Sequence, residues 1–205
     1  LNKKRHWNKL KQLLFFSNNK NKITEVKKIF NKFNLKLLSL SDVDISDEPA
    51  ENAQTFEENA KIKSDYGFNK TGIPCFADDS GICIETLNWK PGVFSKRFLN
   101  NFKNNEACFK RIIRSVKKNG KQNAYFKTSI SLTINKGQNV VFNGKIHGKI
   151  SNHIRGGYGF GYDPIFIPTH HKKTLAEISI KEKNEISHRS VAVKKLINFL
   201  SNWSQ

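Results

Sequence analysis

The first forty residues alternate between short apolar runs and an amphipathic segment, and this order constrains the fold more than any other feature. Residues 13–16, "LLFF", predict a short buried strand that ends at the polar loop "SNNKNK". Apolar residues then recur at helical spacing over residues 21–33, and "LKLLSL" at 35–40 predicts a second strand. A strand, a helix and a strand in succession are typical of the start of an α/β sheet.

The rest of the chain continues this alternation and adds a hairpin. Thr55 and Glu58 have the spacing of a capping box, so a helix is expected over 56–66. The segment "TGIP" ends this helix, and a further strand begins at 75–77. Later helices are predicted over 104–118 and 187–200, and later strands over 123–134 and 140–150. Because the turn "NKGQ" joins those two strands as a hairpin, the sheet is expected to be mixed.

The length of 205 residues suits one domain, which we place at 10–205 behind a basic N-terminal extension at 1–9. An apolar share of 37% is enough to form a core, so a folded globular chain is expected. The longest apolar runs are too short for a membrane helix, so no membrane partner is expected. The three cysteines, Cys75, Cys83 and Cys108, form no C-x-x-C pair and leave an odd count. They fit a reducing compartment, and we expect a cytoplasmic protein.

The most unusual bulk property is charge, because 36 Lys and Arg residues against 17 Asp and Glu residues give a net charge of +19. Such a field favours anionic partners, whether nucleic acid, nucleotides or a membrane surface. The lysines are spread along the whole chain among many asparagines, which is typical of an A+T-rich genome. We therefore favour compositional drift together with an anionic substrate over a specific nucleic-acid partner.

The stretch "GIPCFADDSGICIET" places two adjacent acids, Asp78 and Asp79, where an apolar run ends. At a strand end the pair would lie where α/β sheets commonly hold ligands, although a solvated turn is the simpler alternative. Within a strand the two side chains face opposite sides, so the pair can divide into two roles. Carboxylates here, with more in the acidic stretch at 42–51, suit a hard cation. We expect Mg²⁺, which takes few protein carboxylates and keeps substrate phosphate oxygens.

Three further segments could contact a nucleotide, and each also has an ordinary structural explanation. "SNNKNK" could hold phosphate through backbone N–H groups and Lys22 at a helix N-terminus, or be a polar turn. "GGYGFGYDP" offers aromatic rings and close backbone approach for a base, or is a tight aromatic turn. "KNEISHR" places donors behind Ser187, a candidate N-cap, or is a solvated basic turn. Its three donors are Lys183, His188 and Arg189.

Five blocks taken together resemble a known family, the inosine triphosphate pyrophosphatases, also called Ham1-like or non-canonical purine NTP pyrophosphatases. The blocks are "SNNKNK", "TFEENAKIK", "FADDSGICIETLNWKPGVFSKRF", "GGYGFGYDPIFIP" and "TLAEISIKEKNEISHRSVAVKKL", in family order. The resemblance implies an elongated α/β fold with a mixed sheet flanked by helices. It further implies two lobes around a central nucleotide cleft, usually in a homodimer. The implied reaction is hydrolysis of ITP, dITP and XTP to the monophosphate and pyrophosphate with Mg²⁺, which cleanses the nucleotide pool.

The resemblance also assigns roles by position. Asp79 corresponds to the catalytic acid that binds metal and orients or deprotonates the attacking water, Asp78 supports it, and Lys63 is a further catalytic position. Glu51 matches an additional metal-binding glutamate, with Glu48 as its substitute. The substrate-binding positions are Ser17, Asn18, Asn19, Lys22, Ser80, Phe160, Gly161, Tyr162, Asp163, Lys183, His188 and Arg189.

Two departures from the family pattern occur. The usual T-G-N begins S-N-N, with Asn18 in place of glycine, and the usual E-E-T-G reads "AENA". Asparagine tolerates left-handed backbone better than most residues, so the first departure is compatible with the same loop. The second leaves both Glu51 and Glu48 open as the additional metal ligand.

Base selectivity follows as a hypothesis from the same positions. Phe160 or Tyr162 would stack on the base. Hypoxanthine and xanthine present a carbonyl at position 6 where adenine has an amino group. Donors from Lys183, His188 or Arg189 would satisfy that carbonyl and be left unpaired against adenine, which discriminates strongly.

Three alternatives stay open at this point. One is a house-cleaning pyrophosphatase of another base preference, which a nucleotide panel would separate. Another is a basic nucleic-acid-binding protein, motivated by the charge, which predicts affinity that falls steeply with salt. The last is an inactive member of the family. The six main acidic and basic site positions are all present, which argues against this alternative.

Overall fold

The structure is a computed structural model, and it describes residues 10–31, 33 and 35–202. The predicted basic extension at 1–9 lies outside the described residues. The described chain divides into two compact units. The first unit comprises the residues up to Asp79, Ser129–Gly144 and the residues from Ser190 onwards, and the second comprises Ser80–Thr128 and Lys145–Arg189. The single domain proposed over 10–205 stays a prediction.

The chain begins with a strand, a helix and a strand, as the sequence predicts. Within the described residues the strands are β1 (Gln12–Phe15), β2 (Lys36–Leu38), β3 (Cys75–Ile84), β4 (Lys90–Pro91), β5 (Asn123–Asn135), β6 (Gln138–Ile150) and β7 (Phe166–Pro168). The α-helices there are α1 (Lys20–Phe30), α2 (Phe56–Thr71), α3 (Ser95–Asn100), α4 (Asn105–Asn119), α5 (Ile180–Ile186) and α6 (His188–Asn202). Short 3₁₀ turns cover Leu40–Asp42, Glu85–Leu87, Gly92–Phe94 and Asp163–Ile165. No helix of the described chain is long and apolar enough to cross a membrane.

The sheet is mixed, and this confirms the predicted α/β class. In the first unit the strand order is β2-β1-β3-β5-β6, with β1 parallel to both β2 and β3. In the second unit the order is β3-β5-β6-β7, and β4 also pairs with β3. The pairs β3/β4 and β6/β7 are antiparallel. The strands β3, β5 and β6 therefore contribute residues to both units.

The apolar run "LLFF" reflects burial on both faces of the sheet. Leu13 and Phe15 pack in one cluster with apolar residues of α1 and α6, whereas Leu14 and Phe16 pack in another with apolar residues of α2. Strands covered on both faces have continuous rather than alternating apolar sequences. Helix α2 lies close to the sheet at Gly67, where a Cβ atom would be 2.7 Å from the Phe16 ring. Glycine at this helix position is therefore required by packing.

The prediction that Asp78 and Asp79 end a strand is wrong. β3 continues through them to Ile84, and the two acids are only 2% and 7% exposed. Buried charges are tolerated in a strand only when partners satisfy them. Such partners come from helices α1 and α2, as described below, so the two acids do not interrupt the strand.

The final helix predicted over 187–200 is confirmed as α6, which begins at His188, whereas α5, which ends at Ile186, was not predicted. Ser187 between them has extended backbone, with φ −66° and ψ 153°. It therefore stands directly before α6, at the position predicted for an N-cap.

Candidate active site

Strand alternation in the first unit sends the two aspartates to different helices. Asp78 lies on the face that β3 turns towards α1, and its Oδ1 accepts a bond from the Lys22 Nζ at 3.0 Å. Asp79 faces α2, and its Oδ2 accepts a bond from the Asn59 Nδ2 at 3.0 Å. Successive side chains of a strand point to opposite faces, so one pair of neighbouring acids meets two different groups. The two acids thus have different partners, and their division into two roles stays a prediction.

The loop before α1 is ordered by its own polar side chains. The Asn19 Oδ1 accepts bonds from the backbone N–H groups of Asn21 and Lys22, which makes Asn19 the N-cap of α1. The Ser17 Oγ accepts the Asn19 N–H at 3.3 Å. Asn18 is exposed and is not among the non-glycine residues with positive φ in the described chain. The replacement of glycine by Asn18 therefore needs no left-handed backbone here.

Lys63 joins the acid pair to the acidic loop. Its ammonium group is buried and donates to the Asp78 backbone carbonyl at 2.7 Å. It also forms an ion pair with the Glu51 Oε1 at 3.3 Å. Glu48 is exposed. Of the two glutamates left open by the sequence, Glu51 is the one beside the candidate catalytic lysine.

Asn59 is a site residue that the sequence reasoning missed. Its Oδ1 accepts the Ala53 backbone N–H at 3.0 Å, and this fixes which end of the amide faces Asp79. Asn59 is 3% exposed and therefore holds Asp79 and the loop next to Glu51 together. Its position one helical turn before Lys63 is a signal that could have identified it, because residues four apart share a helix face.

The electrostatics around Asp79 suit both proton transfer and a cation. Burial raises the pKa of Asp79 above its ordinary value, against the opposing effect of the Lys63 and Lys22 ammonium groups. The bond from Asn59 also opposes this rise, whereas the Glu51 carboxylate adds to it. The charge of the Glu51 carboxylate therefore contributes to the electrostatics at Asp79.

The candidate metal ligands are carboxylates, whose oxygens suit a hard cation better than a soft one. In the part of the chain that the structure describes, no group of three or more His, Cys, Asp or Glu residues could hold a metal. Asp79 and Glu51 are the two carboxylates that the sequence assigns to the cation. Mg²⁺ is commonly bound through one or two carboxylates and the substrate.

The second unit contains a separate cluster around the glycine-rich turn. Asp163 is buried, and its Oδ2 accepts both the Phe160 backbone N–H at 2.8 Å and the Lys183 Nζ at 2.5 Å. Gly159 has φ +78°, and a Cβ atom there would lie 2.2 Å from the Asp163 Oδ2. Only glycine permits this tight turn around the carboxylate. Gly161 also has positive φ, at +62°.

Of the two candidate stacking rings, the structure leaves Phe160 accessible. The Lys183 Nζ lies 4.7 Å and the Arg189 Cζ 5.6 Å from the centre of the half-buried Phe160 ring. Tyr162 is 4% exposed, packs in the apolar core and donates its hydroxyl to the Ser95 carbonyl at 2.7 Å. The ring of Tyr162 is therefore not available to a base, which corrects that part of the prediction.

The remaining basic candidates of the second unit are buried and oriented. The Arg189 Nη2 donates to the Ser80 Oγ at 3.2 Å, and Ser80 in turn shares a bond with the Thr128 hydroxyl at 2.8 Å. His188 stacks on Phe126, with ring centres 4.7 Å apart. Thr128 is a further residue that the sequence reasoning missed, because it lies in none of the recognised motifs. Each predicted basic residue thus has a structural partner within its own unit.

The predicted residues therefore form two sets. The first unit brings together Ser17, Asn19, Lys22, Glu51, Lys63, Asp78 and Asp79, and the second brings together Ser80, Phe160, Asp163, Lys183 and Arg189. Asp79 and Ser80 are consecutive residues of β3, so the chain passes directly from one set to the other.

Sequence comparisons extend over nearly the whole chain. Residues 13–199 match the Ham1 family. The dITP/XTP pyrophosphatase of Flavobacterium psychrophilum is 43% identical over 191 residues, which are 93% of this chain and 100% of the relative. The dITP/XTP pyrophosphatase of Christiangramia forsetii is 40% identical over 190 residues, or 93% of this chain and 99% of the relative.

Solved structures agree with the sequence comparison. A HAM1 protein from Coxiella burnetii superposes with a TM-score of 0.85 at 32% identity, covering 94% of this chain and 99% of that one. The Ham1 protein of Staphylococcus aureus gives a TM-score of 0.82 at 34% identity, with coverage of 93% and 98%. Both the fold and the resemblance inferred from the five sequence blocks are thereby confirmed, and the chain belongs to the Ham1 family.

Proposed function

We propose that the protein hydrolyses ITP, dITP and XTP to the nucleoside monophosphate and pyrophosphate. The observation that carries this proposal is the buried Asp78–Asp79 pair, held between Lys22, Lys63 and Asn59. Water attack at a phosphorus atom requires a carboxylate to orient the water and cations to stabilise the phosphate charge. The curated relatives described above are named for this activity, which supports the same assignment.

In this proposal Asp79 orients the attacking water and accepts its proton. Its burial favours proton uptake, because a carboxylate removed from water holds a proton more readily than an exposed one. Lys63 and Lys22 then contribute positive charge towards the phosphates. Lys22 lies in the first turn of α1, where the helix dipole also favours an anion.

Asp79 and Glu51 would hold the Mg²⁺ ion that we propose as cofactor. When bound, the ion would neutralise phosphate charge as a Lewis acid. Asn59 would keep the Asp79 carboxylate oriented, and the Lys63–Glu51 pair would keep the glutamate near it. The residues of this chain thus prepare the site for the ion before it binds.

Base recognition is assigned to the second unit. Phe160 would stack on the purine, with Lys183 and Arg189 beside its ring. Donors from Lys183, His188 or Arg189 would bond the carbonyl at position 6 and be left unpaired against adenine. Asp163 fixes the Lys183 ammonium group through the buried 2.5 Å ion pair, so the direction of that donor is set before the base arrives.

We also propose a homodimer in the cytoplasm, with no specific nucleic-acid partner. The three cysteines are buried and unpaired, which fits a reducing compartment. A pyrophosphatase with another base preference is the second candidate, because the catalytic set of the first unit does not itself distinguish bases.

The test is pyrophosphate release from ITP, dITP, XTP, GTP and ATP by purified protein, with and without Mg²⁺. We expect turnover of the first three that depends on the metal, and little turnover of ATP. A preference for an oxidised or modified nucleotide would favour the second candidate, and silence across the panel in a folded protein would refute the assignment.

A further inference from the structure

One face of the sheet in the second unit carries rings and cations that the proposed reaction does not use. Ala124 and Phe126 of β5 pack in the apolar core of that unit, together with Ile150 of β6. The alternate positions of both strands point away from this core. We define the outer face as five of these positions and Trp89, whose ring contacts Tyr125: Trp89, Tyr125, Lys127, Lys145, His147 and Lys149.

The rings of the outer face form a continuous row. The Trp89 and Tyr125 centres are 5.5 Å apart, and the Tyr125 and His147 centres are 5.7 Å apart. Trp89 is 47% exposed, which is unusual for so large an apolar side chain. The Lys145 Nζ lies 3.6 Å from the centre of the Tyr125 ring. An exposed indole at one end of the row is thus available for further stacking.

The charged residues of the outer face are all basic. Its six positions include three lysines, and none of the six is acidic. Lys145, His147 and Lys149 are exposed and follow each other at every second residue of β6. Two residues of a strand span roughly 7 Å, so the three side chains form an extended basic line.

The outer face is opposite the candidate substrate residues of its own unit. Thr128 bonds Ser80, and Phe126 stacks on His188, so the even-numbered residues of β5 face the candidate site. Tyr125 and Lys127 alternate with them and face the other way. A ligand on the outer face would therefore not need the residues assigned to hydrolysis.

We propose that the outer face binds single-stranded nucleic acid without sequence preference. A row of rings beside a line of cations is the combination that such ligands require, because bases stack on aromatic faces while lysines neutralise phosphates. Trp89 would stack on a base, and Lys127, Lys145 and Lys149 would contact the backbone. The net charge of +19 would further attract the strand.

The test is fluorescence anisotropy of labelled oligothymidylate and oligouridylate, titrated with the full chain at several salt concentrations. Three neutralised phosphates predict a slope of log affinity against log salt of about −2. Trp89→Ala is expected to weaken binding by about 5- to 150-fold, the range for one stacking ring. The double variant Lys145→Gln/Lys149→Gln is expected to reduce the slope by about 1.4.

The matched control is Lys117→Gln/Lys118→Gln, which removes the same charge from two exposed lysines at the end of α4. Its affinity and slope are expected to stay at the wild-type values. Equal weakening by both double variants would refute the proposal, since diffuse net charge would then explain the binding. Unchanged affinity of Trp89→Ala would also refute it.

The outer face could instead bind a second copy of the chain, and size-exclusion chromatography with light scattering tests this by measuring the oligomeric state. If the outer-face variants lose self-association and the wild type does not bind oligonucleotide, the face is an interface between copies and the proposal is wrong. Hydrolysis of ITP is measured on every variant. Binding does not depend on that activity, so failure of one proposal is distinguishable from failure of the other.

Discussion

Asn59 offers the sharpest test of how the candidate catalytic acid is held. Asn59→Asp is nearly isosteric, keeps an oxygen for the Ala53 N–H and removes the donor that bonds Asp79. A hydrogen bond to a charged group is worth about 1.5–3 kcal/mol. If all of that free energy is lost from the stabilisation of the transition state, the rate falls by about 10- to 150-fold. We therefore expect kcat for ITP to fall by at least that factor, because the new carboxylate would also repel Asp79, while KM changes little.

The assay is steady-state pyrophosphate release, combined with thermal unfolding to confirm that each variant is folded. Asn69→Asp is the matched control, since it makes the same change at an exposed position of the same helix. Its kcat is expected to equal that of the wild type. A folded Asn59→Asp enzyme with wild-type kcat would refute the role of Asn59 in orienting Asp79.

Three further predictions concern the second unit and pH. Phe160→Leu should raise KM for ITP by about 5- to 150-fold through loss of stacking, whereas Tyr162→Phe should lower Tm and leave KM unchanged, which kinetics and calorimetry distinguish. Lys183→Met leaves Asp163 buried without its cation and should lower the free energy of unfolding in urea by about 3–5 kcal/mol. Adding Asp163→Asn to this variant should recover part of the loss. Burial alone would raise the pKa of Asp65, but bonds from Lys61, Asn139 and Thr133 hold it below its ordinary value, so its ionised form stabilises the fold. That stabilisation is present above the unfolded pKa and lost as pH falls through the folded one, so Asp65→Asn should flatten the fall in unfolding free energy below about pH 5.

Each of these expectations has a clear contrary result. Equal KM changes in the Phe160 and Tyr162 variants would contradict the assignment of one ring to the base and the other to the core. A Lys183→Met protein as stable as the wild type would show that the ion pair is not needed to stabilise Asp163. If the unfolding free energy of Asp65→Asn falls below about pH 5 as steeply as that of the wild type, Asp65 does not contribute to this fall.

The sequence predicts the fold well where local pattern determines structure. The run "LLFF", the helical spacing after it and the capping box at Thr55 depend on neighbouring residues only, and they lie in β1, α1 and α2. The strand through Asp78 and Asp79 is different. The partners of Asp78, Lys22 and Lys63, are 56 and 15 residues away in sequence. The local sequence does not show these partners, so it predicts that the strand ends at the two acids.

The site shows the same limit. The family blocks identify Asp79, Lys63 and Phe160 by residue type, but they do not show which side chain of a motif is exposed. Tyr162 packs in the apolar core, and its buried hydroxyl is satisfied by the Ser95 carbonyl, 67 residues earlier in the chain. Asn59 escaped notice because its role depends on a backbone N–H in another loop. Local motifs thus indicate the chemistry, and long-range contacts decide which residue performs it.

The central claim is that the buried Asp79 carboxylate drives pyrophosphate release. The most direct measurement compares ITP hydrolysis by the wild type, Asp79→Asn and the control Asp44→Asn, an exposed position whose positive φ asparagine also tolerates. We predict that Asp79→Asn is folded and inactive, and that Asp44→Asn retains full activity. Substantial ITP hydrolysis by folded Asp79→Asn would contradict the proposed mechanism.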